Sequence, residues 1–249
     1  MWLSLEDAPR SLVAGGSVMP AVDRQAATRA LRSTRLFGSL DEESLSSLAG
    51  VCQQRSYGKG QYLWYQGDPG SVVAVICHGL VKVVLSSEHG DEMVLAILGE
   101  HEALGELSVL DGAPRSAAVV AVQPTTVLLL DRATALELMS RRPDVLDAVL
   151  QSLGYLVRHM TERTGDLVFL DLPARLAKLL LHMAGRPESD APVVLDTGLS
   201  QQDLAATIGA TRPAVNRTLQ TFAARGLIEI DGKVIVLRDL AALRRRADH

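Results

Sequence analysis

Cysteine is scarce in this chain: 249 residues hold two, Cys52 and Cys77. Two distant thiols make no metal-ligand pattern and fall short of the four that an iron–sulfur cluster usually takes. Reduced thiols in a cytoplasmic protein are the expectation, with a single disulfide left open by the sequence. Long apolar runs are also missing, and none approaches the roughly 20 residues that cross a bilayer, so no membrane partner is expected. The start, MWLSLEDAPR, has no basic segment and carries Glu6 and Asp7, which makes a poor secretion signal. Six histidines, His78 and His101 among them, are scattered without ligand spacing. No metal is expected, and no Ser/His/Asp constellation or carboxylate pair recommends an enzyme.

What is present is an ordinary core-forming composition, with 47% hydrophobic and 22% charged residues. The length suits one large or two modest domains. The net charge of −4 hides a division. Residues 172–249 hold 11 Lys/Arg against 8 Asp/Glu, a net of +3, and the preceding residues carry −7. A basic C-terminal part is a weak pointer to a polyanionic partner.

Three patterns follow one another along the chain. Residues 1–31, with Gly15-Gly16, read as a loosely ordered extension. From about Tyr57 to Asp131, short apolar runs such as SVVAVICHGLVKVVL are punctuated by glycine, which predicts an antiparallel barrel or jelly roll. A short helix should precede it around Leu40, Leu45 and Leu48. From Pro143 the spacing changes. Leu146, Leu150, Leu153, Val157, Met160, Thr164 and Leu167 follow in steps of 4, 3, 4, 3, 4 and 3. This is a seam of the kind that pairs a helix with a copy of itself in a parallel homodimer. A helix lying on its own barrel would also carry an apolar stripe.

The last region opens with the amphipathic RLAKLLLHM. Ser200, with Asp203 three residues on, resembles a capping box, and Gly209 ends that helix. Thr211 can cap a second helix with Val215, Leu219 and Phe222 on its inner face. Two short helices around a glycine turn describe a helix-turn-helix. IEIDGKVIV then makes a hairpin at Asp231-Gly232, so the whole is a winged helix-turn-helix. Its second helix would present Arg212, Asn216 and Arg217; arginine suits guanine and asparagine suits adenine. Arg244, Arg245 and Arg246 read as a solvated tail.

One stretch within the barrel, GELSVLDGAPRSAAV (105–119), sets an acid and a guanidinium among apolar residues. Gly105, Glu106 and Leu107 would open a short helix whose free N–H groups face an anion. Arg115 can grip phosphate oxygens bidentately, Ser116 adds a hydroxyl, and Glu106 suits a ribose hydroxyl. A cyclic nucleotide carries that combination. Residue chemistry alone leaves a second reading open, in which Glu106 and Arg115 neutralise each other without any ligand.

This stretch closely resembles the phosphate-binding cassette of cyclic-nucleotide-binding domains. Together with LVFLDLPARLAKLLL and the winged helix-turn-helix, it resembles the CRP/FNR family of bacterial transcription regulators over residues 35 to 240 or so. The resemblance implies an α+β protein. A jelly roll over 32–142 would be followed by a dimerisation helix over 143–170 and a DNA-binding domain over 171–249. It implies a cyclic nucleotide effector, cyclic AMP first, bound by Gly105, Glu106, Leu107, Arg115 and Ser116. In the family the adenine meets two neighbouring hydroxyl residues of the dimer helix, one side from each subunit. Those positions fall here on Met160 and Thr161, so one hydroxyl is replaced by a soft apolar side chain.

The resemblance further implies a homodimer on pseudo-palindromic double-stranded DNA, with RNA polymerase a further candidate partner. Ser200, Gln201, Thr211, Arg212, Pro213, Asn216 and Arg217 would lie at the DNA. Pro213 stands where the family's best-known operator reading uses glutamate; the fold tolerates it in a helix's first turn, but the sequence preference should change. A regulator that needs no nucleotide, and a nucleotide-binding module acting on a protein, are the two competing readings.

Overall fold

The computed structural model describes residues 17–18, 23–87, 92–185, 187, 189–196 and 198–248. Among them the chain divides into two compact units, one of residues up to 87 and 95–155, the other of 92–94 and 156–248.

The first unit begins with a correction. Most of the extension expected over 1–31 lies outside the described residues, but its end is ordered helix. Helix α1 (Arg24–Arg32) is capped by Asp23, whose carboxylate accepts from Gln25 and Ala26 N–H. It buries Ala27, Thr28, Ala30 and Leu31. Its signal was there in the sequence: Asp23 can cap a helix, and Ala27, Ala30 and Leu31 share one face while Arg24, Arg29 and Arg32 are exposed. Helix α2 (Glu42–Val51) follows, capped by Asp41 and burying Leu45 and Leu48.

The strands are β1 (Ser17–Val18), β2 (Gln53–Tyr57), β3 (Tyr62–Trp64), β4 (Val72–His78), β5 (Val81–Ser86), β6 (Glu92–Leu98), β7 (Ala103–Leu104), β8 (Ala118–Ala121) and β9 (Thr125–Asp131). They form two antiparallel sheets, ordered β1-β2-β9-β4-β7 and β3-β8-β5-β6. The continuous apolar runs of β4 and β9 have a simple cause: both faces of their sheet are covered. Successive side chains point to opposite faces of a strand. Ala74, Ile76 and Val127 therefore join Val81, Val119 and Ala121 between the sheets. Val73, Val75, Leu128 and Leu130 meet the helices on the outer face.

Between β7 and β8 lies the short helix α3 (Glu106–Asp111), and after β9 come α4 (Arg132–Arg141) and α5 (Pro143–Phe169). In α5, Val145 and Val149 are buried and Leu153 packs on the same core. These residues, not Leu146 and Leu150, form its inner stripe, and Leu153 stands half-buried at the edge of the core. Leu146, Leu150, Val157 and Leu167 are left exposed. Cys52 and Cys77 are unlinked, and burial pushes the Cys52 thiol up to about 12 and the Cys77 thiol to about 11. Cys52 is buried and Cys77 half-buried, and a thiol held protonated by burial is a poor nucleophile.

The second unit holds α6 (Leu172–Met183), β10 (Val193–Asp196), α7 (Gln201–Thr207), α8 (Arg212–Ala224), β11 (Ile228–Asp231), β12 (Val234–Leu237) and α9 (Leu240–Ala247). β12 lies between β10 and β11. Its core includes Leu176, Leu180, Leu219, Ile228, Leu237 and Leu243, each almost fully buried. Of the three arginines read as a solvated tail, Arg245 is exposed, while Arg244 and Arg246 are engaged. The Arg244 guanidinium donates to the Asp190 carboxylate at 2.6 Å and to the Pro187 and Ser189 carbonyls. Arg246 donates to Asp171, the N-cap of α6, at 2.6 Å. They tie down the loop after α6 and the start of that helix.

Candidate functional site

The 105–119 stretch brings some of its polar residues together and leaves others apart. β7 pairs with β4, Leu104 opposite Ala74, and Gly105 follows close to the Val72 carbonyl at the start of β4. Gly105 has φ 87°, in the left-handed region, and caps α3. Gly112, with φ 73°, ends α3, and Asp111 accepts from the Ala113 N–H at 2.9 Å, so the chain doubles back. The Arg115 N–H donates to the Asp68 carbonyl and the Gly67 N–H to the Arg115 carbonyl, both at 2.8 Å.

The Arg115 side chain then runs inward and is only 4% exposed. Its Nη1 donates to the Gly105 carbonyl at 3.0 Å and its Nη2 to the Val72 carbonyl at 2.7 Å. The guanidinium carbon lies 4.0 Å from the centre of the Trp64 ring. Its Nε is buried without a hydrogen-bond partner among the described residues. A side chain at position 105 would collide: a Cβ there would lie 2.5 Å from Arg115 Nη1 and 3.1 Å from the Val72 carbonyl. Glycine is required for both conformation and space.

Glu106 and Arg115 attract each other, yet among the described residues no direct ion pair joins them. The reading in which they neutralise each other therefore rests on that attraction alone, without a direct ion pair. Burial raises the Glu106 carboxyl above the usual range, opposed by its own backbone N–H and by Arg115. Burial also lowers Arg115 to about 10, opposed by Glu106 and Asp68. Near neutrality Arg115 remains a cation. Glu106 borders a small, largely apolar cavity of about 20 Å³ between α3 and Phe37, Met139 and Val149. Leu107 and Ser116 are exposed.

In the second unit, Ser200 makes the capping box with Asp203, its Oγ accepting from the Asp203 N–H at 3.1 Å. Thr211 is the N-cap of α8, but its side chain makes no capping bond, contrary to expectation. α8 buries Val215, Thr218, Leu219 and Phe222. Arg212, Pro213, Asn216 and Arg217 are on its exposed face, and Gln201 is half-buried. The helix, RPAVNRTLQTFAA, has no acidic residue, so its open face is cationic.

Met160 is half-buried, and Thr161 and Thr164 are exposed. The Thr161 hydroxyl donates to the Val157 carbonyl of its own helix at 2.9 Å. Sequence reasoning missed Trp64 and the Val72 carbonyl. The aromatic residue three positions before Gly67 was a visible signal, but nothing in the sequence joined it to Arg115. Among the described residues no group of three His, Cys, Asp or Glu is placed to hold a metal, and no helix is long and apolar enough to cross a membrane.

A glycine-backed buried arginine on a double-sheet fold, followed by a long helix and a winged helix-turn-helix, defines a class of ligand-sensing DNA-binding proteins. Residues 54–142 match the cyclic nucleotide-binding domain family, and residues 174–246 match the Crp-like helix-turn-helix domain family. The cyclic AMP receptor protein of Thermus thermophilus is 30% identical over 217 residues, covering 87% of this chain and 98% of the relative. A CRP-like cAMP-activated global transcriptional regulator of Mycobacterium tuberculosis is 29% identical over 214 residues, 85% of this chain and 96% of that one. The structure of FixK2 from Bradyrhizobium japonicum superposes with TM-score 0.71 at 21% identity, covering 78% of this chain and 96% of that chain. The chain belongs to the CRP/FNR family of bacterial transcription regulators. It is a transcription regulator rather than an enzyme, with a cyclic-nucleotide-binding domain and a DNA-binding domain.

Proposed function

We propose that this regulator acts as a cytoplasmic homodimer on pseudo-palindromic DNA and that cyclic AMP is its effector. One observation carries the nucleotide part: a buried arginine beside a glycine, with its Nε lacking a partner among the described residues. Leaving a charged donor unsatisfied costs about 1–3 kcal/mol or more, which an anionic oxygen would offset. Arg115 is assigned to the phosphate, with the Gly105 and Leu107 backbone and the Ser116 hydroxyl beside it. Glu106 is assigned to the ribose hydroxyl. Met160 and Thr161 are assigned to the base on the resemblance alone, and Met160 weakens base selection, so cyclic GMP or a related nucleotide is the competing effector.

The homodimer rests on the exposed seam of α5. Leu146, Leu150, Val157 and Leu167 stand open to 41%, 57%, 64% and 40%. A row of large apolar side chains at heptad spacing is stabilised by a copy of itself. Met160 and Thr164 continue that row, and Leu153 borders it. Ser200, Gln201, Thr211, Arg212, Pro213, Asn216 and Arg217 are assigned to DNA, the arginines for guanine or phosphate and Asn216 for adenine. Two such helices in one dimer reach major grooves about 34 Å apart. RNA polymerase is a further partner in this reading.

A nucleotide switches the protein only by binding the DNA-competent state better; coupling of about 1–3 kcal/mol would be ordinary. Calorimetric titration with cyclic AMP and cyclic GMP, and gel shifts on promoter fragments with and without each, test the reading. Heat with cyclic AMP and tighter DNA binding in its presence are expected. A regulator that needs no nucleotide is the second reading, favoured by the two backbone carbonyls that already engage Arg115. No heat and no thermal shift at millimolar ligand would decide for it.

A further inference from the structure

We propose that Trp64 is a positioning residue of the anion site: its indole face holds the Arg115 guanidinium in the pose that keeps the Nε edge for a nucleotide phosphate. The proposal rests on the cyclic-nucleotide reading above and adds a residue outside the 105–119 stretch.

The guanidinium offers five N–H donors in a rigid plane. Gly105 and Val72 take one each through their carbonyls, at 3.0 and 2.7 Å. Those two bonds fix one edge of the fork, but a planar group held along one edge can still tilt about it. Trp64 removes that freedom, because its ring lies against the guanidinium at 4.0 Å. A desolvated cation over an indole face is among the stronger contacts of its kind. The edge left over carries Nε, which is buried and has no partner among the described residues.

The backbone shows how Trp64 reaches this place. Alternate residues of a regular strand face opposite ways, yet Leu63 and Trp64 are both buried in the core between the sheets. The register of β3 against β8 shifts between Tyr62, opposite Val120, and Trp64, opposite Val119. Such an irregularity re-aims a side chain. Trp64 is thereby turned inward, across from the strand that follows Arg115. The same packing closes the space beside Gly105, where a Cβ would lie 3.2 Å from the Trp64 ring. An aliphatic residue at 64 would fill the volume while leaving the cation without its aromatic face.

The test is a cyclic AMP titration of the full chain as wild type, Trp64→Leu and Trp64→Phe, with a thermal melt of each. Trp64→Leu should weaken cyclic AMP about five- to thirtyfold, the worth of a desolvated cation–π contact. Trp64→Phe, which keeps a ring face in a smaller volume, should recover most of that loss even where its melting temperature falls as far as that of the leucine variant. Unchanged affinity in Trp64→Leu, or equal weakening in both variants that tracks their melting temperatures, would overturn the role of Trp64 and leave the cyclic-nucleotide reading standing. Absence of binding to the wild type would overturn both. Should Trp64→Leu not fold, Trp2→Phe makes Trp64 the sole tryptophan. Saturation with cyclic AMP should then shift its emission, and an unmoved spectrum sinks the proposal.

Discussion

The Arg115 guanidinium donates to the Val72 carbonyl at 2.7 Å, across 43 positions of sequence. This bond joins the turn after α3 to the start of β4. It gives the arginine a structural part beside the one assigned to it in ligand binding, and the two can be separated by substitution. Arg115→Ala would orphan the Gly105 and Val72 carbonyls and should lower stability by about 1–3 kcal/mol. The protein should stay folded and lose cyclic nucleotide binding. Arg115→Lys keeps a cation without the planar fork, so it should retain more stability than alanine and still lose most of the affinity. Denaturant titration and calorimetry on the two variants check this, and undiminished affinity in Arg115→Ala would remove the residue from the site.

Glu106 should show the opposite balance between stability and binding. Burial raises its carboxyl above the ordinary range. A raised folded-state value means that ionisation is harder in the folded chain than in the unfolded one. That penalty is fully present above the folded-state value and vanishes below the unfolded one. Glu106→Gln should therefore stabilise the ligand-free protein at neutral pH, and the gain should shrink as pH falls into the carboxylate range. Nucleotide affinity should drop in the same variant, since an amide is a poorer acceptor for a ribose hydroxyl. Melting temperatures across a pH series measure the first effect, and a gain that grew with acid would contradict it.

The open seam makes a prediction about assembly. Leu150 is 57% exposed, while its neighbour Val149 is buried at 5%. Leu150→Glu should leave the first unit folded and shift the protein toward monomer in light scattering. Val149→Glu would place a charge in the core and should unfold it, since an unpaired buried ion costs several kcal/mol. A dimer that survives Leu150→Glu would take the pairing away from this row.

On the DNA side, Asn216 and Arg217 should behave differently. Asn216→Ala should cost about 1–3 kcal/mol on a preferred operator and relax its sequence preference at one position. If Arg217 meets phosphate, Arg217→Ala should weaken all sequences alike and reduce the salt slope by about one. Gel shifts over a salt series on specific and scrambled fragments tell these outcomes apart.

Much of this molecule was legible from local pattern. The glycine-punctuated strands, the helix from Pro143, the Ser200 capping box and the Asp231-Gly232 hairpin all arise from neighbours a few residues apart, where spacing and turn chemistry suffice. Gly105 and Arg115 could be singled out for the same reason. The direction of burial on α5 was harder, because Val145 and Val149 lie beside Leu146 and Leu150 on adjoining faces, and only packing against the barrel chooses between them. Helix α1 was legible too, since Arg24, Arg29 and Arg32 alternate with Ala27, Ala30 and Leu31 at helical spacing after the Asp23 cap.

The sequence by itself determined the order of the elements, the glycine needed at position 105 and the charge types available around it, since these depend on backbone preference and side-chain chemistry within one short stretch. Only the tertiary structure decided that Arg115 would turn to the carbonyls of Gly105 and Val72 and to the face of Trp64, rather than to Glu106. Those partners come from β3, β4 and β7, and a buried cation is stabilised by whichever acceptors and ring the assembled sheets bring within reach.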